Sequence, residues 1–117
     1  MPRLGDLERA VMEVLWAASD PMTAKAVGDA LGDRTLAVTT VLTVLSRLER
    51  KGVVTRTRDG RAHQYAAVAT REDYVAELMR EALGTAGDRV AALSRFVRAA
   101  SPDEAEVLRQ ALRRYRR

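Results

Sequence analysis

Residues 37–65 read AVTTVLTVLSRLERKGVVTRTRDGRAHQY, and a change of period inside this stretch decides the fold. Val41, Val44, Leu45 and Leu48 recur at i, i+3, i+4 and i+7, which lines one side of an α-helix. The spacing predicts a helix from about Ala37 to Lys51, ended by Gly52. Beyond Gly52 the chain turns β-branched and alternating in Val53-Val54-Thr55-Arg56-Thr57-Arg58. Asp59-Gly60 then separates this run from Arg61-Ala62-His63-Gln64-Tyr65, a strong local signal for a β-hairpin.

Two further helices are predicted upstream. Leu7, Val11, Val14 and Leu15 form an apolar stripe after Asp6, giving a first helix to about Ala18 that stops at Ser19-Asp20-Pro21. Trp16 lies beside the stripe and is expected in the core. Thr23 is placed to cap a short second helix, Ala24 to Leu31, with Ala24, Val27 and Leu31 on its apolar side and Gly32-Asp33 at its end. Met22-Thr23 leaves room for one more short strand. Three short helices followed by a hairpin is the order of a winged helix-turn-helix.

The composition changes at Thr70. Thr70-Arg71-Glu72-Asp73 has the form of a capping box, and Val75, Leu78, Met79 and Ala82 form a stripe ending at Gly84. Val90, Leu93 and Val97 mark another helix, and Ser101-Pro102-Asp103-Glu104 opens a last one carrying Leu108, Ala111, Leu112 and Tyr115. Arg113, Arg114, Arg116 and Arg117 oppose the negative end of that helix. The expected fold class is therefore mainly α, with a winged helix-turn-helix over residues 1–69 and a helical dimerisation segment over 70–117. Helices of roughly a dozen residues are marginal alone in water, so these stripes need a covering surface, and a twofold partner is the commonest supply. Tyr74, Leu78, Leu93, Val97, Leu108 and Leu112 are the candidate dimer contacts.

Charge is distributed unevenly over the 117 residues. The net charge is +4, but residues 1–33 carry three basic and six acidic side chains, whereas residues 34–61 carry seven and two. A basic middle after an acidic start fits a module that offers one face to a polyanion. The chain has no cysteine and one histidine, His63, which excludes disulfides, thiolate zinc sites and iron–sulfur clusters. No metal and no cofactor are expected. Neither a nucleophile elbow nor a phosphate-cradling glycine loop is present, so no enzyme activity is expected. Without a membrane-spanning apolar run or a signal-peptide pattern, the expected location is the cytoplasm, with no membrane insertion.

The outer side of the third helix carries the candidate chemistry. Thr39, Thr40, Leu42 and Thr43 are its short or apolar members and the candidate base readers: hydroxyls reach base edges, and a leucine meets a thymine methyl. Ser46 shares that side. Arg47, Arg50 and Lys51 follow as candidate phosphate contacts, joined by Arg56, Arg58 and Arg61 near the hairpin tip. Three threonines within five residues disfavour a helix, so their presence asks for a reason beyond propensity. His63 is expected as a wing surface residue. An alternative from another class is a winged-helix module whose basic surface meets an acidic protein or RNA.

The chain resembles the penicillinase-repressor family, the BlaI/MecI group of bacterial regulators. The matching residues are Leu7-Glu8, Val11-Met12 and Leu15-Trp16 in the first helix, then Thr40-Val41, Thr43, Arg47-Leu48 and Lys51-Gly52 in the third. A hairpin bearing Tyr65 and three further helices complete the likeness. The resemblance implies a repressor of resistance or stress genes, a homodimer held by its C-terminal helices with each winged helix in one half of a palindromic operator. It also implies relief by proteolysis under a membrane metalloprotease sensor, at a bond mapping to Arg95-Phe96. The chain departs from staphylococcal members at Ala37-Val38, where they have a serine cap and a proline. It departs from them also at Thr39 and Leu42, where they are basic, and at Arg95, where they have asparagine. The related copper-responsive repressors use C-terminal cysteines, which this chain lacks.

Overall fold

The computed structural model describes residues 4–32 and 36–115; Asp33 of the second helix's stop signal, with Arg116 and Arg117, lies outside them. The elements run α1 (Asp6–Ala17), α2 (Ala24–Ala30), α3 (Val38–Arg50), β1 (Val54–Asp59), β2 (Ala62–Ala67), α4 (Arg71–Gly84), α5 (Arg89–Arg98) and α6 (Pro102–Tyr115). Two compact units result, Met1–Leu78 and Met79–Arg117.

The first unit is built on the stripes of the first three helices. Val11, Met12 and Leu15 from α1, Ala24 and Val27 from α2, and Val41, Val44, Leu45 and Leu48 from α3 are all buried. Val53, Val54 and Tyr65 from the hairpin complete the core, and Trp16 packs at its edge, half-buried. Local chemistry sets the ends. Thr23 Oγ1 accepts the Ala26 N–H at 3.1 Å, capping α2. At the end of α3, Val53 N–H reaches the Leu48 carbonyl and Gly52 N–H the Glu49 carbonyl, a Schellman motif that needs the φ of 82° at Gly52. That left-handed residue turns the chain out of the helix and into β1.

The hairpin pairs Val54 with Ala67, Arg56 with Tyr65 and Asp59 with Ala62. Its two-residue turn is therefore Gly60-Arg61, one position later than the Asp59-Gly60 pair the sequence pointed to. Among the described residues no side-chain-bearing residue has positive φ, and Gly60 sits at 66°. A turn centred on Asp59-Gly60 would force positive φ on aspartate as well, whereas the observed one asks it only of glycine, as a type II′ turn does. Met22 supplies the extra strand as a single bridge: its N–H donates to the Tyr65 carbonyl at 2.9 Å, and Tyr65 N–H returns to Met22 at 2.7 Å.

Both C-terminal capping boxes form. Asp73 N–H donates to Thr70 Oγ1 and Thr70 N–H to Asp73 Oδ2; Ser101 and Glu104 exchange the same pair of bonds before α6. The apolar side read for α4 is not its buried one. Val75 and Met79 are exposed, while Tyr74 is buried with its ring 5.5 Å from that of Trp16. Arg71 lies over the Trp16 ring and pairs with Glu13. These contacts hold the start of α4 to α1, and the first compact unit accordingly extends to Leu78. In the second unit neither α5 nor α6 buries a side chain, and Leu93, Phe96, Val97, Val107 and Leu112 are all exposed.

Candidate nucleic-acid interface

With Val41, Val44, Leu45 and Leu48 turned into the core, the opposite side of α3 faces solvent. Thr39, Thr40, Leu42, Thr43, Ser46, Arg47 and Arg50 are exposed there. Leu42 is 40% exposed in spite of its size, which places an apolar contact in the middle of a hydroxylated surface. Thr43 Oγ1 donates back to the Thr39 carbonyl at 2.9 Å, so its outward character is that of a methyl and an acceptor oxygen. The basic side chains cluster toward the C-terminal end, which favours cations there and keeps the N-terminal half free of bulky charge. Small groups first and guanidinium groups beyond them suit close approach to a groove edged by phosphate.

The wing follows α3 directly and carries the remaining candidate cations. Residues opposite each other in an antiparallel pair lie on one face, so Val54, Arg56 and Arg58 share a face with Ala67, Tyr65 and His63. Val54 and Tyr65 bury the base of that face, and the arginines extend it toward the tip. Arg56 Nε lies 3.6 Å from Glu49 Oε2, tying β1 to the last turn of α3. Arg58 Nε donates to the Gly60 carbonyl at 3.0 Å, folding its side chain over the turn, and Arg61 stands exposed in the turn itself. His63 is half-buried opposite Arg58.

Lys51 does not join the exposed cations. Its Nζ is 2.9 Å from Glu8 Oε1 and 2.8 Å from Oε2, and its side chain is only 29% exposed. Glu8 is buried in the first turn of α1, where Oε1 also accepts the Gly5 N–H at 2.9 Å. The hydrogen bond from Lys51 holds this carboxyl below its ordinary range, aided by the Gly5 N–H and opposed by burial, with the Arg47 charge adding a smaller pull. Lys51, expected among the phosphate contacts, thus has its charge paired with Glu8 inside the protein. A signal for the pair exists in the sequence. Glu8 stands at helical spacing with Val11, Met12 and Leu15, and Lys51 continues the line of Val44 and Leu48, so each is a charge on a buried stripe.

The remaining candidate residues fall in or beside the second unit. Tyr74 is buried on Trp16 within the first unit, which leaves its ring surface little to offer a partner chain. Leu78 and Leu108 are half-buried, and Leu93, Val97 and Leu112 are about half exposed or more. Arg95 and Phe96 are both exposed, and the bond between them lies inside α5. Among the described residues, no helix is long and apolar enough to cross a membrane.

Comparison with known proteins gives a consistent result. The family model described as penicillinase repressor matches residues 4–114. The transcriptional regulator BlaI of Mycobacterium tuberculosis is 52% identical over 116 residues, spanning 96% of this chain and 84% of that protein. Among solved structures, the monomeric BlaI of Bacillus licheniformis in complex with the blaP half-operator superposes with a TM-score of 0.51 at 31% identity, over 62% of this chain and 89% of that one. A MarR family protein of Bacillus stearothermophilus reaches a TM-score of 0.53 over 97% of this chain and 73% of its own, but at 20% identity it speaks for the fold alone.

Proposed function

The chain belongs to the penicillinase repressor family, and from that premise we propose that it is a sequence-specific, non-enzymatic DNA-binding repressor that acts as a homodimer on palindromic operators. The observation that carries the reading is the outer side of α3. Thr39, Thr40, Leu42 and Thr43 would meet base edges, Arg47 and Arg50 the flanking phosphates, and Arg56, Arg58 and Arg61 the backbone under the wing.

The C-terminal unit supplies the pairing surface in this reading, through Leu78, Leu93, Val97, Leu108 and Leu112. The exposed apolar side chains of α5 and α6 support it, since they would be a cost in water without a partner. The repressed genes serve resistance or stress responses, and the protein works in the cytoplasm, where the DNA is. Release follows cleavage of Arg95-Phe96 by a protease under the control of a membrane metalloprotease sensor. Exposure of Phe96, at 51%, supports access to that bond, though α5 must unwind locally before the chain can lie extended in a protease cleft.

Selection of binding sites from random duplex DNA, at near-physiological salt, tests the core of this. A palindromic motif with half-sites about one helical turn apart is the expected outcome. Salt-sensitive binding without any motif would turn the reading toward the acidic-protein or RNA-binding alternative.

A further inference from the structure

Four apolar residues seat α3 on the first unit, and none of Val41, Val44, Leu45 and Leu48 is more than 4% exposed. Apolar packing is non-directional: it holds the helix against the core but sets no single angle at the helix end. A reader of base edges tolerates little such freedom, because each hydrogen bond to a base has a narrow range of distance and angle.

The contact between Glu8 and Lys51 is directional, and it ties α3 to α1. It joins the first turn of α1 to the residue that caps the end of α3, across 43 positions of sequence. Both carboxylate oxygens lie within 3 Å of the ammonium, and the carboxylate is itself fixed by the Gly5 N–H. As a source of stability such a pair is weak, since desolvating two charges offsets most of their attraction and apolar replacements are often as stable. Its position explains it better than its energy does. Two charged side chains stand on otherwise apolar stripes, and they meet at the one point where α3 leaves the core and the chain turns into the wing.

We infer that Glu8 and Lys51 are positioning residues for base reading, their ion pair fixing the seat of α3 in the groove, and that Lys51 neutralises no phosphate. The inference rests on the reading of α3 as the DNA-contacting helix. Moving Lys51 onto a phosphate would strand the buried Glu8 carboxylate without its counter-charge, a larger loss than one exposed phosphate contact returns.

Lys51→Met, Lys51→Arg, Glu8→Gln and the Glu8→Gln/Lys51→Met double variant separate the possibilities. Each is titrated, with the unmodified protein, against the selected operator and a random duplex of equal length over a series of salt concentrations. Circular dichroism and urea midpoints establish that each variant is folded under the conditions used. Lys51→Met and Glu8→Gln are each expected to lower the preference for operator over random duplex about tenfold, the scale of one lost base contact. The double variant is expected to lose no more than the worse single one, Lys51→Arg to keep most of the preference, and the salt slope of Lys51→Met to match the unmodified protein. A slope reduced by about one per subunit in Lys51→Met, with operator and random DNA weakened alike, would make Lys51 a phosphate contact and overturn the inference. Unchanged preference in both single variants would overturn it too. Should Lys51→Met not fold, Glu8→Gln and Lys51→Arg decide alone, since glutamine keeps the acceptor for Gly5 and arginine the charge. Failure of the underlying DNA reading is distinct: the unmodified protein would then bind operator and random duplex equally at every salt concentration.

Discussion

Glu8 carries a pH signature that its neighbours make legible. Its folded pKa lies below the ordinary 4.5, chiefly because Lys51 hydrogen-bonds the ionised form. A depressed folded value means the unfolded chain takes up the proton first, so the pair's contribution is fully present above the ordinary value and is lost as pH falls through the depressed one. Urea midpoints followed from neutral to acid pH should therefore fall more steeply for the unmodified protein than for Glu8→Gln, with the two curves converging at the acid end. Parallel curves would mean that the ion pair contributes nothing in solution. Glu106, lowered by Arg109 and Gln110, lies on the exposed surface of α6 and is not expected to add a visible step. On the outer side of α3 the expected effects are of two kinds. Thr43→Ala removes an acceptor and a methyl and should shift preference at one base pair per half-site, by about 1 kcal/mol. Arg58→Ala should instead weaken operator and random duplex together and reduce the salt slope by about one per subunit. A change of preference at a single base pair in Arg58→Ala would remove that residue from the backbone contacts.

At the scale of elements, what the sequence made legible was whatever depends on local spacing. The stripes of α1, α2 and α3, the caps at Thr23, Thr70 and Ser101, and the Gly52 stop all rest on residues within a few positions of one another, and all appear in the structure. The shift of the turn to Gly60-Arg61 has the same root. Two alternations one turn position apart bury the same residues, and only backbone freedom at Gly60 chooses between them. Contacts between distant segments were not legible. Nothing near Tyr74 announces that its ring will meet Trp16, 58 positions earlier, so the stripe Val75, Leu78, Met79 looked like the better candidate for burial. Glu8 and Lys51 could each be seen as a charge on a stripe, but that the stripes meet end to end belongs to the packing of α1 on α3. Gly60→Ala tests the wing as an element. Alanine at φ 66° costs about 1–2 kcal/mol, to be read as a lowered urea midpoint. Because Arg61 lies in that turn and Arg58 folds over it, its distortion should also weaken binding to random duplex. Unchanged stability would place the turn elsewhere.

For the molecule as a whole, the decisive question is what covers the second unit. Its helices bury no side chain among the described residues of α5 and α6, yet Leu93, Val97 and Leu112 are 47%, 52% and 62% exposed. Burying side chains of this size stabilises by about 1.5–3 kcal/mol each, enough over a self-complementary patch to hold two copies together. In the proposed dimer the same pairing would give function its length scale. A single winged helix spans one half-site, whereas two linked copies make the second contact intramolecular and raise affinity without any new chemistry. Replacing Leu108 and Leu112 together by glutamine removes apolar surface from α6 while leaving the core of the first unit untouched. Sedimentation velocity should then show a monomer, circular dichroism should show the helices of the first unit intact, and binding to the full palindrome should fall to the level of a single half-site. A monomer that kept full affinity for the palindrome would mean that one copy reads the whole operator. A dimer that survived the double replacement would move the interface away from α6, leaving α5, with Leu93 and Val97, as the surface to change next.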